Sequence, residues 1–248
     1  MTYCIAVRLD DGLVFVSDTR TNAGVDNVGT YRKLHVFTPT PDRLFVLQSA
    51  GNLATTQEVL DRIRRDLVDP EATVNLATVD HLFEAALYVG ALGQEVTKAH
   101  AEAFKTDRGA TATFIVGGQV GTEAPDILLV YPEGNYIRAS DERPFLQIGE
   151  TKYGKYMLEI GIHSGVDFVT GLKVVLSSMM STSRSNVSVG PPYDIGIYET
   201  GSHELEQFRV PPGSPALARL EHFWGDRLRD LMDQLPPISP ADFAVDAS

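Results

Sequence analysis

The sequence predicts an α+β fold in which two antiparallel sheets lie between helical layers, a four-layer αββα sandwich. Two observations carry this prediction. Pairs of strands joined by short turns favour antiparallel sheets, whereas strict βαβ alternation favours a parallel sheet. The predicted elements also come in blocks: strands, two helices, strands, two helices and strands again.

The first strands span residues 3–9 and 13–18, which flank the turn Asp10-Asp11-Gly12. Both runs are rich in β-forming residues, and the glycine supplies a positive φ. If the hairpin turns around Asp11, Thr2 pairs roughly opposite Arg20, and Asp18 lies diagonally on the same face. A second apolar pair, 33–37 and 43–49, is separated by two prolines.

Helical spacing begins at Ala50 and stops before Pro70. The remaining elements follow in order. Helix is expected at 75–104, 151–161, 166–181 and 215–234, and strand at 110–120, 126–131, near Tyr136, near Phe145, at 193–199 and at 204–210. We expect residues 1–212 to form the main domain, and residues 213–248 to form a helical extension packed on it or on a neighbour.

Composition limits the classes of function. The chain has 248 residues, with 21 Lys and Arg against 33 Asp and Glu, so its formal charge is −12. Nucleic-acid binding is not expected, because it needs a basic face. No apolar run reaches the roughly 18–20 residues of a membrane helix. The single cysteine and the lack of a secretory signal lead us to expect a cytoplasmic protein.

The N-terminal region carries a recognisable pattern. Thr2 follows the initiator Met1, the first hairpin ends in Ser17-Asp18-Thr19-Arg20, Lys33 opens the next strand, and Ser49-Ala50-Gly51 leads into a helix. This pattern resembles a proteasome β-type subunit, an N-terminal nucleophile (Ntn) hydrolase. The phrases MTYCIAVRLDDGLVFVSDTRTNAGVDNV, TYRKLHVF and STSRSNVSVGPPYDI resemble the bacterial Anbu (ancestral β-subunit) subfamily over nearly the whole chain.

The resemblance implies a threonine-type endopeptidase. Removal of Met1 would place the α-amine of Thr2 beside its own hydroxyl, and an α-amine, with a pKa of about 7.7–8.0, can serve as the base. By resemblance Lys33 favours the deprotonated nucleophile through its charge, Asp18 holds Lys33, and the backbone N–H of Gly51 stabilises the oxyanion.

Four further residues are expected to support this site. Arg20 follows Asp18, and Glu150 stands where proteasome subunits usually carry a serine after a glycine. Ser185 and Ser188 have the spacing of the family's Asp and Ser, so a serine replaces the aspartate. The replacements at 150 and 185 favour weak peptidase activity.

The remaining expectations concern ligands and assembly. Thr21, Tyr31, Ser49 and Leu53 flank the predicted catalytic residues and are expected to form the substrate pocket for a peptide or unfolded protein. The six histidines lack ligand spacing, so neither a metal nor another cofactor is expected. By resemblance the chain forms a homo-oligomer, as a ring or an open helical particle, and an ATPase partner is left open. The alternatives are a binding or assembly particle with little hydrolysis and a small-amide Ntn amidohydrolase.

Overall fold

The computed structural model describes residues 2–22, 28–104 and 109–243. It contains two five-stranded antiparallel sheets. Their strands are β1 Tyr3–Leu9, β2 Gly12–Asp18, β3 Arg20–Asn22, β4 Val28–Thr30, β5 Leu34–Thr40, β6 Arg43–Gly51, β7 Ala112–Val120, β8 Asp126–Val130, β9 Tyr136–Arg138, β10 Phe145–Gly149, β11 Tyr193–Glu199 and β12 Leu205–Val210. The helices of this part of the chain are α1 Leu53–Asp66, α2 Leu82–Phe104, α3 Lys155–Gly161, α4 Phe168–Ser185 and α5 Pro215–Asp233.

The first sheet has the strand order β10-β1-β2-β11-β12, and the second has the order β5-β6-β7-β8-β9. A small hairpin, β3-β4, stands apart from both sheets and was not predicted. The chain divides into two compact units, Met1–Pro212 and Gly213–Ser248.

Alternation along β6 shows how the second sheet is covered. Leu44 and Val46 belong to a buried cluster that includes Ala6 and Phe15 of the first sheet, so the two sheets face each other there. The residues between them in sequence, such as Phe45, belong to a second cluster shared with α1 and α2. Helix α4 contacts β1 and β2 of the first sheet.

The mixed α+β architecture with antiparallel sheets is confirmed. The complete four-layer stacking stays a prediction. None of the helices in the described ranges combines the length and apolar composition that a bilayer crossing demands.

The predicted register of the first hairpin was wrong by one residue. Cys4 pairs with Ser17 and Leu9 with Gly12, so the turn consists of Asp10 and Asp11 alone. The pairing therefore continues towards Tyr3 opposite Asp18, which removes the predicted diagonal between Thr2 and Asp18. A two-residue turn fixes this register.

The start of α2 was also predicted too early, because residues 75–80 form turns. The side chain of Asn75 accepts from the N–H of Ala77 at 2.8 Å, and Thr78 Oγ1 accepts from the N–H of Asn75 at 2.9 Å. Such bonds compete with helix formation. Glu84 then caps the helix, since its carboxylate accepts from the N–H of Asp80 at 2.8 Å.

Candidate functional site

Thr2 is held by its own backbone at the start of β1. Its carbonyl oxygen accepts from the N–H of Glu150 at 2.7 Å. Gly149, the last residue of β10, has φ +87°, and a Cβ there would lie 1.9 Å from that same oxygen. Only glycine fits at position 149, so the close approach of β10 fixes where the Thr2 main chain lies.

Asp18 and Lys33 form a buried ion pair next to this point. Lys33 Nζ donates to Asp18 Oδ1 at 2.6 Å and to the carbonyl oxygen of Arg20 at 2.7 Å. The same carboxylate oxygen accepts from the N–H of Tyr3 at 2.9 Å. Asp18 thus joins Lys33 to the residue that follows Thr2. Two of the three N–H donors of the ammonium are used within the described residues, which leaves one for a further acceptor.

Burial raises the pKa of the Asp18 carboxyl, while the ammonium of Lys33 and the N–H of Tyr3 oppose that rise. The Asp18 and Lys33 side chains are 0% and 7% exposed, so solvent does not weaken the attraction between them. The geometry favours an ionised pair that holds a positive charge at a fixed position.

The side chain of Arg20 contacts the loop that follows α4. Its Nη1 donates to the carbonyl oxygen of Val187 at 2.6 Å. A Cβ on Gly190 would lie 2.6 Å from the guanidinium carbon, so this side chain packs directly against the backbone of residue 190. Arg20 therefore ties the end of the first hairpin to the loop that follows α4.

Gly51 ends β6 and has φ +110°, and a Cβ there would lie 2.5 Å from the carbonyl oxygen of Thr111. The N–H of Ser49 donates to the Lys33 carbonyl, whereas the N–H of Asn52 donates to Thr111 on the opposite side. Because N–H directions alternate along a strand, the N–H of Gly51 points towards the Lys33 side. The β5–β6 pairing ends at Leu34 opposite Gln48, short of this group.

The side chain of Glu150 is held away from bulk solvent. The residue is 8% exposed, and its carboxylate accepts from Asn186 Nδ2 at 3.1 Å. Asn186 caps the end of α4, and its Oδ1 accepts from the N–H of Ser188 at 3.0 Å. The loop after α4 therefore contacts Glu150 through an asparagine.

Ser185 is not brought into this network. Its hydroxyl donates to the carbonyl oxygen of Ser181 within α4 at 3.0 Å and is exposed. A serine near a helix end commonly bonds back to the preceding turn in this way. Asn186, one residue later, is the residue of this segment whose side chain bonds to Glu150. Ser188 donates its main-chain N–H to Asn186 and has a further interaction.

The predicted pocket residues divide into two pairs. Tyr31 and Leu53 line a cavity of about 420 Å³ between the segment that precedes β5 and the first turns of α1. Ser49 is buried, and its main chain bonds to Lys33 and Cys4. The Thr21 hydroxyl is buried and has no hydrogen-bond partner in the part of the chain that the structure describes. Met1, whose removal the chemistry requires, lies outside the described residues.

Several site residues were missed by the sequence reasoning. Gly149 and Asn186 act through contacts between distant elements, and only the positive-φ tendency of glycine signals the first. Arg32 and His35 line the same cavity as Tyr31, and their positions one residue before and two residues after Lys33 could have suggested them. Within the described ranges, no group of three or more His, Cys, Asp and Glu is arranged to hold a metal ion.

The comparisons with known proteins place this geometry in a family. No protein-family model and no curated protein matches the chain. Among solved structures, an Anbu (Gly-1) mutant from Hyphomicrobium sp. strain MC1 is 39% identical, with a TM-score of 0.89, and the match covers 96% of this chain and 100% of that one.

Two other solved structures agree. Anbu (ancestral β-subunit) from Yersinia bercovieri is also 39% identical, with a TM-score of 0.89 and the same coverage of 96% and 100%. The chain in a helical assembly of the Anbu complex from Pseudomonas aeruginosa is 37% identical, with a TM-score of 0.90 over 97% of this chain and 99% of that one. The sequence and its fold thus agree over nearly the full length, and the chain belongs to the Anbu family of proteasome-like β-subunit homologues.

Proposed function

We propose that this chain is a threonine-type peptidase subunit in which Thr2, exposed by removal of Met1, hydrolyses peptide bonds. The observation that carries the proposal is the arrangement around Thr2. Its main chain is fixed by Glu150, and the next residue donates to the carboxylate that holds the Lys33 ammonium at 2.6 Å. A positioned nucleophile beside a positioned cation is what acyl transfer requires.

The first half of the reaction forms an acyl-enzyme. The free α-amine of Thr2 takes the hydroxyl proton as Oγ1 attacks the substrate carbonyl carbon. The Lys33 ammonium, with one N–H donor left over, stabilises the developing negative charge on Oγ1. The carbonyl oxygen becomes an oxyanion, and the N–H of Gly51 points to the side where Lys33 lies. The α-ammonium then returns its proton to the departing amine, and an ester to Thr2 remains.

The second half regenerates the enzyme. The α-amine removes a proton from water, and the resulting hydroxide attacks the ester carbonyl. The second oxyanion is stabilised by the same N–H group. When it collapses, the carboxylic acid product leaves, and Thr2 Oγ1 recovers the proton from the α-ammonium. No group beyond the chain and water is needed for this balance.

Assembly is part of the proposal. A relative forms a helical assembly, and α5 of this chain exposes apolar residues such as Phe223, Leu231 and Met232. Exposed apolar faces of this kind favour self-association. We therefore expect a homo-oligomer, in the form of a ring or an open helical particle, within the cytoplasm. An ATPase that delivers unfolded protein fits the same function and is left open.

A second function is favoured by Glu150. Its buried carboxylate replaces a neutral hydroxyl of the family pattern and lies on the residue that binds Thr2. An anion near the α-ammonium favours the protonated form and so weakens the base. A weakened base would leave a binding or assembly particle with little turnover. The third hypothesis is a small-amide amidohydrolase, which would need no assembled particle.

Turnover separates these functions. Untagged protein would be incubated with an unfolded protein and with small amides, and the products followed by mass spectrometry. The peptidase predicts peptide products that disappear in Thr2→Ala and persist, more slowly, in Thr2→Ser. Cleavage that survives in Thr2→Ala would contradict the proposed nucleophile. Absence of cleavage in an assembled, Met1-free particle would favour the binding particle, and cleavage of small amides alone would favour the amidohydrolase.

A further inference from the structure

The cavity of about 420 Å³ that Tyr31 and Leu53 line has both apolar and charged side chains in its walls. Tyr31, Leu53 and Leu60 supply apolar surface, and Tyr31 is 44% exposed at its edge. Arg32, the residue directly before Lys33, lies on one side. Leu53 follows Gly51 by two residues, so the cavity is lined by the two segments that carry Lys33 and Gly51, and it is large enough for one side chain of a peptide.

The charged side chains that line this cavity carry a net positive charge. Arg32 makes no ion pair or hydrogen bond with its side chain in the described ranges. Arg64, on α1, donates to Asp61 at 2.8 Å, and both side chains are more than half exposed. An exposed pair of this kind is weak and easily exchanged for another partner. Two guanidinium groups thus face one carboxylate, which leaves a net positive charge.

His35 reports the same positive potential from the edge of the cavity. Burial and, to a smaller extent, the cations Arg64 and Arg32 lower the pKa of its imidazole to about 4, while a hydrogen bond with the Arg32 backbone and the carboxylate of Asp194 on β11 oppose them. Asp194 is itself paired with Arg209 at 2.7 Å and 2.9 Å. The imidazole is neutral near pH 7, so the positive charge of the cavity comes from the two arginines.

We infer that this cavity selects an acidic side chain, aspartate or glutamate, on the peptide that Thr2 attacks. A guanidinium group presents a planar pair of N–H donors that matches a carboxylate, and the apolar walls accommodate the methylene groups before it. This inference rests on the proposed function and adds the substrate preference. Arg32 and Arg64 are the determinants, and Asp61 opposes them.

The test compares peptide epoxyketones that carry Glu, Gln or Lys next to the reactive ketone. The rate at which each adds its full mass to Thr2 is read from the intact protein. We expect the Glu probe to react about tenfold faster than its Gln isostere, a difference of about 1.4 kcal/mol. The advantage should fall to below about threefold in Arg32→Gln and in Arg64→Gln, increase in Asp61→Asn, and decrease with salt.

A matched control is available on the same helix. Arg62 is paired with Glu58 and Glu95 and does not line the cavity. Arg62→Gln should leave the ratio of Glu to Gln unchanged, which separates a local contact from a general loss of positive charge on α1.

The outcomes separate this inference from the proposed function. Equal rates for Glu and Gln, or the fastest rate for Lys, would overturn the acidic preference while the nucleophile stands. If no probe reacts, the proposed function is wrong. The preference for an acidic side chain is then tested by peptide binding alone. Fluorescent peptides containing Glu or Gln would be titrated into Thr2→Ala protein, where tighter binding of the Glu peptide supports the inference and equal affinities overturn it.

Discussion

At the scale of single residues, the Asp18–Lys33 pair is where structure and proposed chemistry meet. Both groups are buried and in contact at 2.6 Å. Removal of one partner leaves an uncompensated charge, whereas removal of both does not. The pair consequently fixes a charge beside Thr2 but makes the fold sensitive to either single substitution.

This leads to a first prediction. Lys33→Met should lower the free energy of unfolding by about 3–5 kcal/mol, and Asp18→Asn combined with Lys33→Met should recover most of the loss. Denaturant titrations at one protein concentration measure both effects. If the double variant is as unstable as the single one, the pair contributes through packing rather than through charge.

His35 gives a second prediction, which concerns acid stability. Its folded pKa is about 4, below the ordinary 6.5. As the pH falls, the unfolded chain therefore binds a proton first. Stability present above pH 6.5 is lost as the pH falls towards 4, by up to about 3 kcal/mol.

Denaturant titrations at pH 7.5, 5.5 and 4.5 would check this. His35→Gln should lose less stability over that range than the parent. The control is His222→Gln, since His222 is 83% exposed on α5, and it should follow the parent. If His35→Gln lost as much stability between pH 7.5 and 4.5 as the parent does, the burial assigned to His35 would be wrong.

At the scale of elements, the strand ends decide the site. Residue 51 ends β6 at a positive φ with no room for a Cβ. Gly51→Ala should destabilise the protein by about 1–3 kcal/mol and slow acylation of Thr2 at least about tenfold, because the N–H must move. Gly121→Ala is the matched control, since Gly121 has φ +54° but nothing within 4 Å of its added Cβ. Equal acylation rates in the two variants would mean that the N–H of Gly51 does not stabilise the oxyanion.

The elements also show how far sequence reasoning reached. Apolar periodicity placed the helices and most strands, because burial of one face dominates the local pattern. It failed where side chains replaced backbone partners, as at Asn75, and where a two-residue turn set the register of β1 and β2. Thr2, Asp18 and Lys33 were singled out from their pattern, and their catalytic roles stay a prediction. Asn186 and Arg64 were not, because their roles arise only when distant segments meet.

At the scale of the whole molecule, assembly depends on surfaces that one subunit leaves exposed. Leu228 and Leu231 lie one turn apart on α5 and are 41% and 51% exposed. Leu228→Asp with Leu231→Asp should reduce the particle to smaller species in sedimentation velocity, with the helix content unchanged. Arg229→Gln, on the same helix, should leave the particle intact. An unchanged particle in the double variant would mean that α5 is not an assembly surface.

An intact-mass measurement shows whether Thr2 is a processed, reactive nucleophile. Untagged protein would be incubated with a β-lactone and compared with Thr2→Ala. We expect loss of the Met1 mass and addition of one lactone in the parent, with no adduct in the variant. Retention of Met1 with no adduct would contradict it, because an amide nitrogen cannot act as the base.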